Sequence, residues 1–182
     1  MEKLASLEDL KALCTSIQSA SSAHPTVVHV CMTGCRAYGS AAVKDALEQE
    51  VKARGLEQEV EIRSTGCHGF CAKAPVIAVE PLGVQYQEVT ADDAGLIADR
   101  TLKNKELLEQ LAFRDPETSR PVFQRDQIPF YHKQERRVLK KCGRIDPTRI
   151  QDYIQAGGYQ ALAKVLAGLS PEQVIEEVQA AK

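Results

Sequence analysis

Residues 26–35 read Thr-Val-Val-His-Val-Cys-Met-Thr-Gly-Cys, and residues 59–71 read Glu-Val-Glu-Ile-Arg-Ser-Thr-Gly-Cys-His-Gly-Phe-Cys. The β-branched run Thr26 to Val30 predicts a strand, and the alternation of Val60 and Ile62 with charged neighbours predicts a half-buried strand over 59–63. Each run ends in a glycine-containing loop that carries two cysteines, so Cys31, Cys35, Cys67 and Cys71 are expected just past two strand ends.

Outward from these loops, Leu7, Leu10, Leu13, Cys14 and Ile17 fall at helical spacing behind a candidate N-cap, Ser6. A second helix is expected from Ser40 to Arg54, where Ala42, Val43, Ala46, Leu47 and Val51 recur at three and four and Gly55 can terminate the turn. Val76–Val79 and Val84–Tyr86 flank Pro81-Leu82-Gly83 as a hairpin, and Thr90 to Asp93 opens a helix through Leu96, Ile97 and Leu102. This order predicts an α/β domain over 1–113 with a thioredoxin-like arrangement. The polar, proline-bearing stretch from Asp115 to Pro121 predicts a linker over 114–127. Beyond it, 128–182 is punctuated by Pro147, Gly157-Gly158 and Ser170-Pro171 into three short helical stretches, the last from Pro171 to Ala181.

With 43% hydrophobic and 26% charged residues, the 182-residue chain has the balance of a folded globular protein. Neither a basic-then-apolar leader nor a run of about 18 apolar residues occurs, so a cytoplasmic protein without membrane insertion is expected. The net charge of −2 conceals an asymmetry, since residues 114–149 carry 10 basic and 5 acidic side chains while 1–113 carry 11 and 16. That segment could meet an acidic partner or phosphate groups, or be a solvated surface of mixed sign. No aromatic–basic interleaving accompanies it, and nucleic-acid binding is not expected.

Six cysteines in a reducing compartment point to metal ligation or buried thiols before disulfides. The two matched pairs, Cys31-x3-Cys35 and Cys67-x3-Cys71, supply four soft thiolates, the ligand set of an iron–sulfur cluster. Gly34, Gly66 and Gly69 leave backbone N–H groups free to approach the sulfurs. A structural zinc ion is the main alternative, although zinc pairs more often have two residues between their cysteines. Buried thiols and a redox disulfide are the others. His68 lies between two ligand candidates and is expected as an exposed neighbour of the centre, with four cysteines already completing the set. Cys14, on a helix face, and Cys142, before Gly143, are expected as non-ligands. His24, His29 and His132 are scattered, and no catalytic residue is expected.

Val-Cys-Met-Thr-Gly-Cys-Arg-Ala-Tyr-Gly-Ser (30–40) and Ser-Thr-Gly-Cys-His-Gly-Phe-Cys (64–71) resemble the thioredoxin-like [2Fe-2S] ferredoxin domain, which also occurs in flavoprotein subunits of NAD(P)-linked hydrogenases and electron-bifurcating complexes. The first pair is one residue tighter than the four-residue spacing that this family often shows. Ile-Pro-Phe-Tyr-His-Lys-Gln (128–134), Cys-Gly-Arg-Ile-Asp-Pro (142–147) and Asp-Tyr-Ile-Gln-Ala-Gly-Gly-Tyr-Gln-Ala-Leu (152–162) resemble the segment leading into the NADH-oxidising flavoprotein subunit of respiratory complex I and its relatives. The resemblance implies a [2Fe-2S] cluster on Cys31, Cys35, Cys67 and Cys71, and electron transfer within a multi-subunit NAD(P)H-linked oxidoreductase. It implies FMN and NAD(H) only on a flavoprotein portion beyond Lys182 or on a partner subunit, because no glycine-rich phosphate cradle occurs here. Partners would then be a flavoprotein and further iron–sulfur subunits, and the chain would hold no complete active site. The alternative is a zinc-stabilised or metal-free assembly module with no redox role.

Overall fold

The computed structural model describes residues 4–21 and 24–181. Two compact units emerge, one from 23–147 and the other from 1–22 with 148–182.

In the 23–147 unit, β1 (Thr26–Cys31), β2 (Val60–Thr65), β3 (Ile77–Glu80) and β4 (Val84–Tyr86) form one sheet in the order β2-β1-β3-β4. β1 and β2 run parallel, with Thr26 opposite Val60 and Cys31 opposite Thr65. β3 is antiparallel to β1, and the expected β3–β4 hairpin pairs Ile77 with Tyr86. The parallel crossover between β1 and β2 is made by α2 (Ser40–Ala53), which buries Val43, Leu47 and Val51. Gly55, at φ +64°, lets the chain leave that helix. Val28, Val30, Ile77, Val79 and Tyr86 join the α2 residues in a single core.

Thr90 and Asp93 form a reciprocal capping box, Asp93 accepting the Thr90 N–H at 2.8 Å, and open the helical stretch as expected. It continues as α3 (Ala94–Leu96) and then as a π-helical turn, Ile97–Lys103, that buries Ile97, Ala98, Thr101 and Leu102. Beneath it the Tyr86 hydroxyl lies 2.7 Å from Thr101 Oγ1 and accepts from the Leu108 N–H at 3.1 Å. Tyr86→Phe removes that acceptor while keeping the ring, so it is expected to lower stability by about 1–3 kcal/mol. Urea unfolding would show this as a lower midpoint at unchanged slope; an unaltered midpoint would mean that the buried hydroxyl contributes nothing.

The stretch expected as a linker packs within this unit. β5 (Phe113–Arg114) and β6 (Pro121–Val122) pair antiparallel, and Gln85 N–H donates to Phe123 O at 2.9 Å, tying the second arm beside β4. Asp115 Oδ1 accepts the N–H groups of Glu117 and Thr118 at 2.9 and 2.8 Å, so the polar, proline-bearing residues make a turn between paired arms. α4 (Pro129–His132) follows, and the chain reaches Pro147 through a series of turns.

In the other unit, α1 (Leu7–Ser21) is capped as expected, with Ser6 Oγ accepting from Asp9 N–H and Asp9 Oδ2 from Ser6 N–H. It packs with α5 (Ile150–Gln155) and α6 (Gln160–Gly168), and the Cys14 thiol donates to Ile154 O at 3.3 Å. α7 (Pro171–Ala180) begins with a Ser170–Gln173 capping box. Among the described residues no helix is long and apolar enough to cross a membrane.

Candidate metal centre

The parallel register of β1 and β2 decides the site. Neighbouring parallel strands finish at the same edge, so the loops after Cys31 and Thr65 leave the sheet side by side. Met32 N–H donates to Thr65 O at 3.0 Å, which carries the pairing one step past the strand ends. Cys31 closes β1, Cys35 sits in the single helical turn Gly34–Tyr38, and Cys71 opens another, Cys71–Lys73. Cys31 and Cys35 are buried, Cys67 is half-buried and Cys71 is exposed.

The two loops meet at their sulfurs. The Thr33 hydroxyl lies 3.6 Å from Cys31 Sγ, and the backbone N–H groups of Thr33 and, from the opposite loop, of His68 favour the Cys31 thiolate. Gly69 N–H donates to Cys67 Sγ at 3.2 Å, and the Val76 N–H favours the ionised form of Cys35. A Cβ placed on Gly34 would stand 3.9 Å from Cys71 Sγ. The four sulfurs lie within electrostatic reach of one another, the charges of Cys31 and Cys67 acting on both Cys35 and Cys71. Among the described residues no three His, Cys, Asp or Glu side chains gather tightly enough to hold a single metal ion. All six cysteines are free thiols.

Electrostatics within this group are uneven. The hydrogen bond from Cys35, with the donors from His68 and Thr33, draws Cys31 down to about 4 against the cost of burial. Cys35 is driven upward by that same bond, by burial and by the charges of Cys31 and Cys67. Cys71 is raised by the charge of Cys67 first and by its hydrogen bond second. Four thiolates therefore resist ionising together, and a cationic centre between them removes that resistance. The donor set thus fits a [2Fe-2S] cluster: two thiols for each iron, with backbone N–H groups already aimed at the sulfurs.

His68 is buried rather than exposed, with 1% of its surface accessible. Its Nε2 lies 3.2 Å from Thr65 Oγ1, and burial, with the nearby positive Arg125, lowers its pKa to about 3, so the ring is neutral. The cause is Gly143: a Cβ there would meet His68 Nδ1 at 2.9 Å, so only glycine leaves room for the ring. Gly66 N–H donates to Ile145 O at 3.3 Å and fastens the same segment to the second cysteine loop. Phe70, between Gly69 and Cys71, stacks on Phe130 at 4.5 Å and meets Tyr131 edge-on at 5.9 Å. This aromatic cover and the Thr33, His68 and Val76 donors were not singled out from the sequence; only the run Ile-Pro-Phe-Tyr marked any of it. Cys14 belongs to the α1 unit, bonded to Ile154 O, and Cys142 lies in the turn before Gly143.

A family model described as thioredoxin-like [2Fe-2S] ferredoxin matches residues 17–101. A 2Fe-2S ferredoxin of Clostridium pasteurianum is 35% identical over 77 residues, which cover 42% of this chain and 76% of the relative. A 2Fe-2S ferredoxin of Aquifex aeolicus is 28% identical over 106 residues, 58% of this chain and 90% of that protein. The NADP-reducing hydrogenase subunit HndC of Solidesulfovibrio fructosivorans is 47% identical over 47 residues, but these span 26% of this chain and only 9% of that subunit. The crystal structure of the wild-type thioredoxin-like [2Fe-2S] ferredoxin from Aquifex aeolicus superposes with a TM-score of 0.46 at 30% identity, covering 49% of this chain and 96% of that one. With three quarters of the clostridial ferredoxin matched at this identity, the chain belongs to the thioredoxin-like [2Fe-2S] ferredoxin family.

Proposed function

We propose that Cys31, Cys35, Cys67 and Cys71 hold a [2Fe-2S] cluster through which the chain passes single electrons, as a component of a multi-subunit NAD(P)H-linked oxidoreductase. The observation that carries the ligand assignment is the approach of Gly34, between Cys31 and Cys35, to Cys71 of the other pair, whose Sγ lies 3.9 Å from where a Cβ on Gly34 would stand. The cluster, when bound, supplies reversible one-electron exchange. The chain supplies the rest. The N–H groups of Thr33, His68, Gly69 and Val76 stabilise negative charge on the sulfurs, and Phe130, stacked on Phe70, packs beside Gly69 of the 67–71 loop. The partner class rests on the short match to the hydrogenase subunit and on the resemblance of 128–162 to a flavoprotein's leading segment. FMN and NAD(H) belong to that partner or continuation.

Anaerobically prepared protein should contain about two irons and two sulfides per chain. It should absorb in the visible, bleach with dithionite and then give a rhombic S = 1/2 paramagnetic resonance signal. A colourless chain holding stoichiometric zinc would replace this reading with the assembly module. Native mass spectrometry of the assembly isolated from cells tests the partner class and should find a flavin-bearing companion. The isolated chain should reduce no dye with NADH.

A further inference from the structure

Residues 120–144 contain eight Lys and Arg against two Asp and Glu, and the fold gathers four of these cations at one place. Arg125, Arg136, Lys140 and Arg144 line a groove of about 420 Å³ together with Tyr131 and His132, and Asp126 is the single carboxylate on its wall. The half-buried Arg125 guanidinium lies 4.9 Å from the Tyr131 ring centroid. Burial, with repulsion from Arg136 and Arg144, lowers its pKa, so its charge stands partly out of water among like charges. Among the described residues none of the four cations has a carboxylate within ion-pair distance. Four cations in a concavity whose wall carries one carboxylate make the field that draws and holds an anionic group.

Charge alone would suit a free phosphate, but the same turn displays two apolar side chains in the open. Val138 is 94% exposed and Leu139 57%, between Arg136-Arg137 and Lys140-Lys141. The turn is held in place: Cys142 N–H donates to Leu139 O at 3.0 Å, Arg144 N–H to Lys141 O at 3.1 Å, and Ile145 O takes the Gly66 N–H. A small anion gains nothing from a fixed valine and leucine, whereas a protein segment with an apolar residue among carboxylates engages both features. Apolar anchors within a charged rim are the make-up of a protein interface.

We infer that the Arg125–Arg144 groove and the Val138–Leu139 turn together form a docking surface for an acidic protein segment that carries apolar residues among its carboxylates. A Cβ at Gly69, between Cys67 and Cys71, would lie 3.9 Å from an Arg136 guanidinium nitrogen, so a docked segment sits beside the second cysteine loop. Delivery of the partner to a redox centre rests on the function proposed above; the binding itself does not.

The test uses fluorescence anisotropy with the full chain and two labelled 12-residue peptides, one of Glu and Asp with a central Leu-Leu pair, the other of Glu and Asp alone. The leucine-bearing peptide should bind more tightly, with an affinity that falls as salt rises. The double variant R136E/K140E should weaken it about tenfold and flatten the salt dependence. Val138→Asp, at a position too exposed to disturb the core, should weaken it about fivefold and leave the salt slope unchanged. Equal binding of the two peptides, or displacement by inorganic pyrophosphate at similar affinity, would reduce the surface to a simple anion site and overturn the inference. So would absence of binding, or binding indifferent to these variants. A chain that binds the peptide yet holds no iron would instead sink the cluster assignment and leave the docking surface standing.

Discussion

Cys35→Ala is expected to yield a folded chain that retains less than about a tenth of its iron and of its visible absorption, because a cluster held by four thiolates loses its closed ligand set with any one of them. Cys35 is the strictest choice. Its sulfur is buried, and its side chain acts directly on Cys31. The substitution also removes the hydrogen bond that chiefly draws Cys31 toward its thiolate form, so one change weakens two donors. Far-UV circular dichroism should stay near that of the parent, since Cys35 is not one of the residues of the Val28, Leu47 and Ile77 core. Cys14→Ala and Cys142→Ala are the controls. Cys14 donates to Ile154 O in the helical unit, and both variants should keep full iron content. Iron analysis with absorption spectroscopy decides the matter: full colour in Cys35→Ala, or colour lost in either control, would require a different ligand set.

The cysteine loops were readable because their cause is local. A β-branched run, a strand end and a glycine-bearing cysteine pair lie within a few residues of one another, and β1 and β2 formed where Thr26–Val30 and Val60–Ile62 placed them. The helix starts at Ser6, Thr90 and Ser170 were equally local, since each depends on a side chain three residues ahead. What escaped depends on pairing across the chain. The 114–127 stretch had the composition of a linker, and only its hydrogen bonding beside β4 turns that composition into a hairpin. Likewise α1 joins the C-terminal helices, although its own periodicity says only that one face is apolar. His68 read as exposed because a polar residue between two loop cysteines ordinarily faces water; its burial is decided at Gly143, far along the sequence. The strand ends announced the ligand candidates, while the donors and covers around them come from elsewhere in the fold.

Gly143→Ala is expected to be the most damaging single-atom enlargement near the site. At φ +73° the backbone lies in the left-handed region, where a Cβ costs about 1–2 kcal/mol. That Cβ would also stand 2.9–3.1 Å from three atoms of the His68 ring, and displacing a packed ring costs a further 1–3 kcal/mol or so. The ring has little freedom to yield, because Nε2 is engaged by Thr65 Oγ1 at 3.2 Å and the side chain is enclosed. The strain must then pass to the His68 backbone, whose N–H favours the Cys31 thiolate. A loss of stability of about 2–5 kcal/mol should therefore come with a second, separable effect: weaker donation to the sulfur and a more negative reduction potential. Gly55→Ala is the comparison that separates the two. It has a similar φ of +64° but nothing within 4 Å of its Cβ, so it should show the backbone cost alone and leave the potential unmoved. Denaturant unfolding and potentiometric titration on both variants read the two quantities independently. Equal destabilisation of the two variants would show that the His68 ring yields without cost. An unchanged potential in a destabilised Gly143→Ala would show that the ring and the sulfur donor are not mechanically joined.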